Sequence, residues 1–149
     1  MNQTAASLCL AMMVLGPPAH AGEYFETNGV AIGGYDPVRY LTDHRAVAGM
    51  PAYAFSYRGS TFHFASAADR DLFAADPARY APQYNGFCTF GVAQGAKVAS
   101  NPSSFRVVGG KLYLQYNDAV SLQFDRDVSG NLRKADINWP GVQSRPIER

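Results

Sequence analysis

"FSYRGSTFHFASAADRDLFAAD", Phe55 to Asp76, and "FRVVGGKLYLQYNDAVSLQFDR", Phe105 to Arg126, share one layout at an offset of fifty residues. Each opens with alternating apolar and polar residues, turns at Arg58-Gly59-Ser60 or Gly109-Gly110, and alternates again. Period-two alternation broken by a glycine-containing turn predicts a β-hairpin. Each hairpin then meets a polar residue able to cap a helix, followed by a helix-like segment. In the first, Ser66 and Asp69 have capping-box spacing, the hydroxyl accepting a backbone N–H and the acid lying at the positive helix end. The expected fold is a small single α+β domain of two β-hairpin–helix units with short helices.

Alternation also assigns faces. Phe55, Tyr57, Phe62 and Phe64 fall on one side of the first hairpin, and Ser56, Arg58 and His63 on the other. In the second, Phe105, Val107, Leu112 and Leu114 point inward, leaving Arg106, Val108, Tyr113 and Gln115. That remaining face is not very polar, so it is expected to be covered. Leu72 and Phe73 are expected in the core. Asp76-Pro77 starts a further short helix, with Asp as cap and Pro at the first helical position. Towards the C-terminus, a turn at Ser129-Gly130, a short helix over Leu132 to Ile137 and a stop before Pro140 are expected, with a frayed polar tail after Val142.

Of the 149 residues, 47% are hydrophobic and 17% charged, the balance of a folded globular chain. Thirteen Lys+Arg against twelve Asp+Glu give a net charge of +1 with no basic block. Composition therefore offers no electrostatic case for nucleic acid or an anionic membrane. The start, "MNQTAASLCLAMMVLGPPAHA", has a short apolar run, a Gly-Pro-Pro breaker and small residues around His20. This is the layout of a secretory signal over residues 1–21, although the usual Lys or Arg near the start is missing. The run is too short to span a bilayer. Cleavage after Ala21 leaves 22–149 as one domain in the periplasm or outside the cell. Cys9 leaves with the signal, so one thiol, Cys88, and two histidines, His44 and His63, remain. One cysteine excludes an internal disulfide and an all-thiolate zinc site.

Cys88 stands in "YNGFCTFGVAQG", Tyr84 to Gly95, among aromatics and glycines. Three roles are open. It can ligate a soft metal, copper first, with His63 as a second ligand. It can be a redox-active or nucleophilic thiol, with His63 as base. Or it can be small apolar packing. No basic neighbour in sequence predicts a lowered pKa. Asp36 before Pro37 is read as a cap or turn, and His44 as a solvated loop residue. The tyrosines Tyr35, Tyr40, Tyr84, Tyr113 and Tyr116 belong to core or rim, where a cluster could surround a ligand. Trp139 reads as a cover over the core.

"GGYDPVRYL", Gly33 to Leu41, with "YRGSTFHFASAADRDLFAADPARYAPQYNGFC", Tyr57 to Cys88, resembles the YHS-domain family. The likeness covers about Val30 to Cys88, and the stretch to Trp139 looks like a longer secreted version. It implies a small α+β unit of hairpins and short helices, and in the metal-associated members a cysteine site. The corresponding positions here are Arg39, Ala65 and Asp69, so those thiols are missing. The eponymous tripeptide reads Phe64-Ala65-Ser66, without the histidine. With export read from the sequence and a metal association implied by the resemblance, the expected function is that of an exported, non-enzymatic accessory protein binding a metal ion, copper first, or a small apolar ligand. The competing expectations are a thiol-based enzyme or redox sensor using Cys88, and an interaction module for an exported protein partner, supported by the apolar outer face of the second hairpin.

Overall fold

The computed structural model describes residues 22–149; residues 1–21, read from sequence as a secretory signal, and Cys9 within them lie outside the described residues. A short antiparallel pair, β1 (Glu26–Thr27) and β2 (Val30–Ala31), leads into a 3₁₀ turn at Ile32–Gly34. The first unit follows: α1 (Pro37–Thr42), the hairpin β3 (Met50–Tyr57) and β4 (Ser60–Phe64), then α2 (Ala67–Ala75) and α3 (Pro77–Tyr80). The order then recurs. A 3₁₀ turn at Gln83–Gly86 precedes α4 (Thr89–Ala93), the hairpin β5 (Asn101–Val108) and β6 (Lys111–Gln115), then α5 (Asp118–Asp125) and α6 (Val128–Val142). The chain is thus an α+β fold of two hairpin–helix units, each also carrying a helix before its hairpin that alternation does not announce.

Both hairpins close through two-residue turns, Tyr57 pairing with Ser60 and Val108 with Lys111. Arg58 and Gly59, like Gly109 and Gly110, all have positive φ, the type I′ geometry that matches strand twist. Ser66 caps α2 through the Asp69 N–H, and Asn117 caps α5 through the Val120 N–H. Asp76 holds the cap position of α3 with Pro77 next, but its side chain makes no cap bond.

The repeat offset is fifty-one residues, not fifty: β3 and β5 begin at Met50 and Asn101, and the caps are Ser66 and Asn117. Matching apolar residue to apolar residue slips the register by one, which exchanges the two faces of a strand. The slip has a physical origin, because the two hairpins bury their apolar residues differently. Phe62 and Phe64 pack with Phe73, Val38 and Tyr80 in the core of the first unit. At the matching positions β6 has Tyr113 and Gln115, both buried on their own unit's side. Its apolar pair, Leu112 and Leu114, lies on the other face and packs against Ile32 and Tyr40 of the first unit, flanked by Phe105. Both faces of β6 are therefore covered, as the shortage of polar residues suggests. On that outer face Tyr113 and Gln115 are buried, while Arg106 and Val108 are half-buried.

Phe73 is fully buried, whereas Leu72 is 46% exposed and not a core residue. The C-terminal helix also departs from expectation, running unbroken through Ser129-Gly130 and Pro140. The Asp127 carboxylate caps it at the Gly130 N–H, so Ser129-Gly130 is its first turn. A Cβ on Gly130 would collide with that carboxylate. Pro140 forfeits one backbone bond near the helix end, but Ala135 and Val142 bury against Val92 and Ala93 of α4. Asn138 adds bonds to the Val92 and Ala93 carbonyls. Packing overrides propensity here. The tail is docked rather than frayed: Arg145 donates to the Gly95 carbonyl, and the Glu148 N–H to Lys97.

Candidate functional site

Cys88 is the N-cap of α4, 2% exposed, its sulfur accepting from the Gly91 N–H at 3.4 Å. The thiol lies 3.6 Å from Gln115 Oε1, which also accepts from the Phe90 N–H. Burial pushes the thiol pKa up, opposed by the backbone N–H groups of Gly91, Tyr116 and Phe90. Its place in the repeat is filled in the first unit by Asp36, the N-cap of α1. Asp36 accepts from the Val38 N–H and, past the end of β4, from the Ala65 N–H, each at 2.8 Å. Tyr116 follows β6 as Ala65 follows β4. The Asp36 N–H bonds to the Val47 carbonyl and the Cys88 N–H to the Val98 carbonyl, again at matching places. The thiol thus performs the structural task of a buried carboxylate, tying a helix start to a strand end.

His63 stands on β4, half-buried, and a Cβ on Gly34 would lie 3.4 Å from its Nδ1. The hydrogen bonds of the thiol run to Gln115 and Gly91, and none joins it to His63. The two residues belong to different units, and among the described residues no three His, Cys, Asp or Glu side chains form a metal-holding group. His44 is exposed.

The three positions where the YHS resemblance implies thiols come together around Asp36. Arg39 Nε donates to Asp69 Oδ2 at 2.7 Å, and Asp36 holds the Ala65 N–H. Asp69 is the acidic neighbour of Asp36 in this cluster. Burial first, and this acidic neighbour next, raise Asp36 to about 6 against the opposing pull of the Ala65 and Val38 N–H groups. Arg39 also pairs with Asp43 at 2.9 Å on its solvent side. Reading Asp36 as a cap is correct; this long-range cluster is what sequence reasoning misses. An ion pair occupies the place of the implied thiol site.

A separate cleft of about 190 Å³ opens where the first unit hands over to the second. Tyr57 and Arg58, at the tip of the first hairpin, and Tyr24 form one wall; Gln83, Tyr84 and Asn85, from the second 3₁₀ turn, form the other. The Arg58 guanidinium carbon lies 5.3 Å from the Tyr57 ring centroid, and the rings of Tyr24 and Tyr57 are 6.0 Å apart. Burial, aided by the neighbouring Tyr57, pushes Tyr24 up to about 12, so its hydroxyl remains a hydrogen-bond donor at neutral pH. Tyr84 reaches the far side of its unit, donating to Asp136 on α6 at 2.6 Å. Trp139 packs edge-on to Tyr84 as a partly buried cover, as expected. Of the tyrosines singled out in the sequence, Tyr84 alone lines this cleft; Tyr24, Tyr57 and Arg58 carried no sequence signal beyond hairpin alternation. No family model, curated protein or solved structure matches the chain.

Proposed function

We propose that this protein is an exported, non-enzymatic accessory protein of YHS type that binds a small ligand in the cleft between its two units. Export rests on the sequence of residues 1–21. The cleft carries the binding reading: both units contribute polar side chains to one small hollow, with a cation beside two phenols. Its volume is below the roughly 300–1,000 Å³ of drug-sized pockets, so the guest has few heavy atoms. The surroundings of Cys88 favour a structural role over a copper ligand or a nucleophile, since the sulfur is buried and its pKa is raised. Among the described residues no helix is long and apolar enough to cross a membrane.

Native mass spectrometry and elemental analysis of gently purified protein test this reading. The expected result is a small organic molecule released on denaturation, with no stoichiometric metal in either wild type or Cys88→Ser. Stoichiometric copper that disappears in Cys88→Ser would overturn it in favour of a soft-metal site at Cys88.

A further inference from the structure

Arg58 occupies a position that its own backbone disfavours. Its φ is +48° at the first centre of a type I′ turn, where the second hairpin has Gly109. A side chain in the left-handed region costs roughly 1–2 kcal/mol, and the turn gains nothing from arginine over glycine. Strain kept at one residue, and absent from its counterpart, points to a task for that side chain.

The guanidinium has unused capacity. Among the described residues its one ion pair is with Glu23 at 3.5 Å, both side chains about half exposed. Arg106, by contrast, grips Asp125 through two bonds of 2.9 and 2.7 Å, the fork geometry that arginine favours with a carboxylate. Side-chain hydrogen bonds of the cleft lining to other residues run from Arg58 to Glu23 and from Tyr84 to Asp136. Among the described residues, the Tyr24 hydroxyl and the side-chain amides of Gln83 and Asn85 make no side-chain hydrogen bond and can face a guest.

Resting on the reading that the cleft holds a small ligand, we propose that its guest is a small carboxylate anchored by Arg58 and the Tyr24 hydroxyl, with Glu23 as the internal competitor at the rim. The carboxylate receives the guanidinium fork, the phenol supplies a neutral donor, and the amides of Gln83 and Asn85 face the remainder of the molecule. Glu23 already shows the recognition in weak form, a carboxylate of the chain itself at long range from the same cation.

The test is a ¹H–¹⁵N NMR titration of the protein with sodium propanoate, with propanamide and sodium phosphate as controls. Propanoate is expected to shift the Arg58 Nε–H and the Gln83 and Asn85 amide signals saturably, and the controls to leave them in place. Glu23→Gln is expected to tighten propanoate about two- to fivefold, by removing a surface ion pair. Arg58→Gly relieves the turn, so the fold persists, and is expected to weaken binding roughly tenfold or more through loss of a charged hydrogen bond. Equal shifts with propanamide, undiminished in Arg58→Gly, would overturn the carboxylate and leave a small-ligand cleft. Preferential shifts with phosphate would overturn the carboxylate in the same way. No shifts with any compound would overturn both readings.

Discussion

At the scale of single residues, Asp36 and Cys88 show how one structural task accepts two chemistries. Each caps a helix and reaches the end of its hairpin, Asp36 through the Ala65 N–H and Cys88 through the Gln115 side chain, yet only the carboxylate has an acidic neighbour. With its folded-state pKa raised to about 6, Asp36 holds its proton more tightly in the native than in the unfolded chain. Its contribution to stability is full below the unfolded value of about 4 and lost as pH rises through about 6, up to about 3 kcal/mol. Asp43 and Asp125 are held low by Arg39 and Arg106 and act in the opposite sense, but they lie at the surface. The Asp36 contribution is therefore read as the difference between wild type and Asp36→Asn in urea midpoints from pH 4 to 7. The variant is expected to be less stable throughout, having lost the acceptor for Ala65, and to lack the wild-type decline between pH 4 and 7. For Cys88, a buried thiol with a raised pKa is expected to react with alkylating reagents only on unfolding. Cys88→Ala removes the cap and should cost about 1–2 kcal/mol in a denaturation midpoint experiment. Fast labelling of the native thiol would refute the structural assignment.

At the scale of elements, the two hairpin turns form an internal comparison that nature has already made. Gly109 satisfies its turn without strain and Arg58 does not, so Arg58→Gly should raise stability by about 1 kcal/mol while removing the cleft's cation. A thermal midpoint that falls would mean that the Tyr57 contact and the Glu23 pair outweigh the backbone relief. The hairpins and the cap at Ser66 were legible because alternation, glycine turns and capping spacing are local signals. The one-residue error in the repeat arose because Leu112 and Leu114 face the other unit, which alternation cannot reveal. Leu72, predicted buried, is exposed because Phe73 takes the core-facing position of α2. The cluster of Asp36, Arg39 and Asp69 was invisible for a different reason. Its members are brought together by packing of α1 against α2, and each had a sufficient local explanation. The cleft shares this property, since Tyr24, Arg58 and Asn85 meet only once the units are joined.

At the scale of the whole molecule, the question is whether two similar units fold as two bodies or one. Their own cores are separate clusters, one around Phe62, Phe64 and Phe73, the other around Val92, Ala135 and Val142. The middle cluster joins them: Ile32 and Tyr40 from the first unit interlock with Leu112 and Leu114 from the second. Tyr40 also stacks edge-on to Phe105, ring centroids 4.8 Å apart, and donates its hydroxyl to the Pro102 carbonyl at 2.7 Å. Four fully buried side chains at the junction contribute roughly 1.5–3 kcal/mol each from burial, comparable to the stability of an entire small domain. Neither unit can shed its partner without exposing this surface, so unfolding should be one cooperative transition. Trp139 fluorescence reports the second unit, and far-UV circular dichroism reports both; their urea curves are expected to coincide. Phe73→Ala and Phe124→Ala, at matching positions in α2 and α5, should each lower the unfolding free energy by about 3–5 kcal/mol, moving that shared midpoint to lower urea. If Phe73→Ala instead splits the transition, leaving the Trp139 curve in place, the middle cluster does not couple the units and the cleft between them can open without global unfolding.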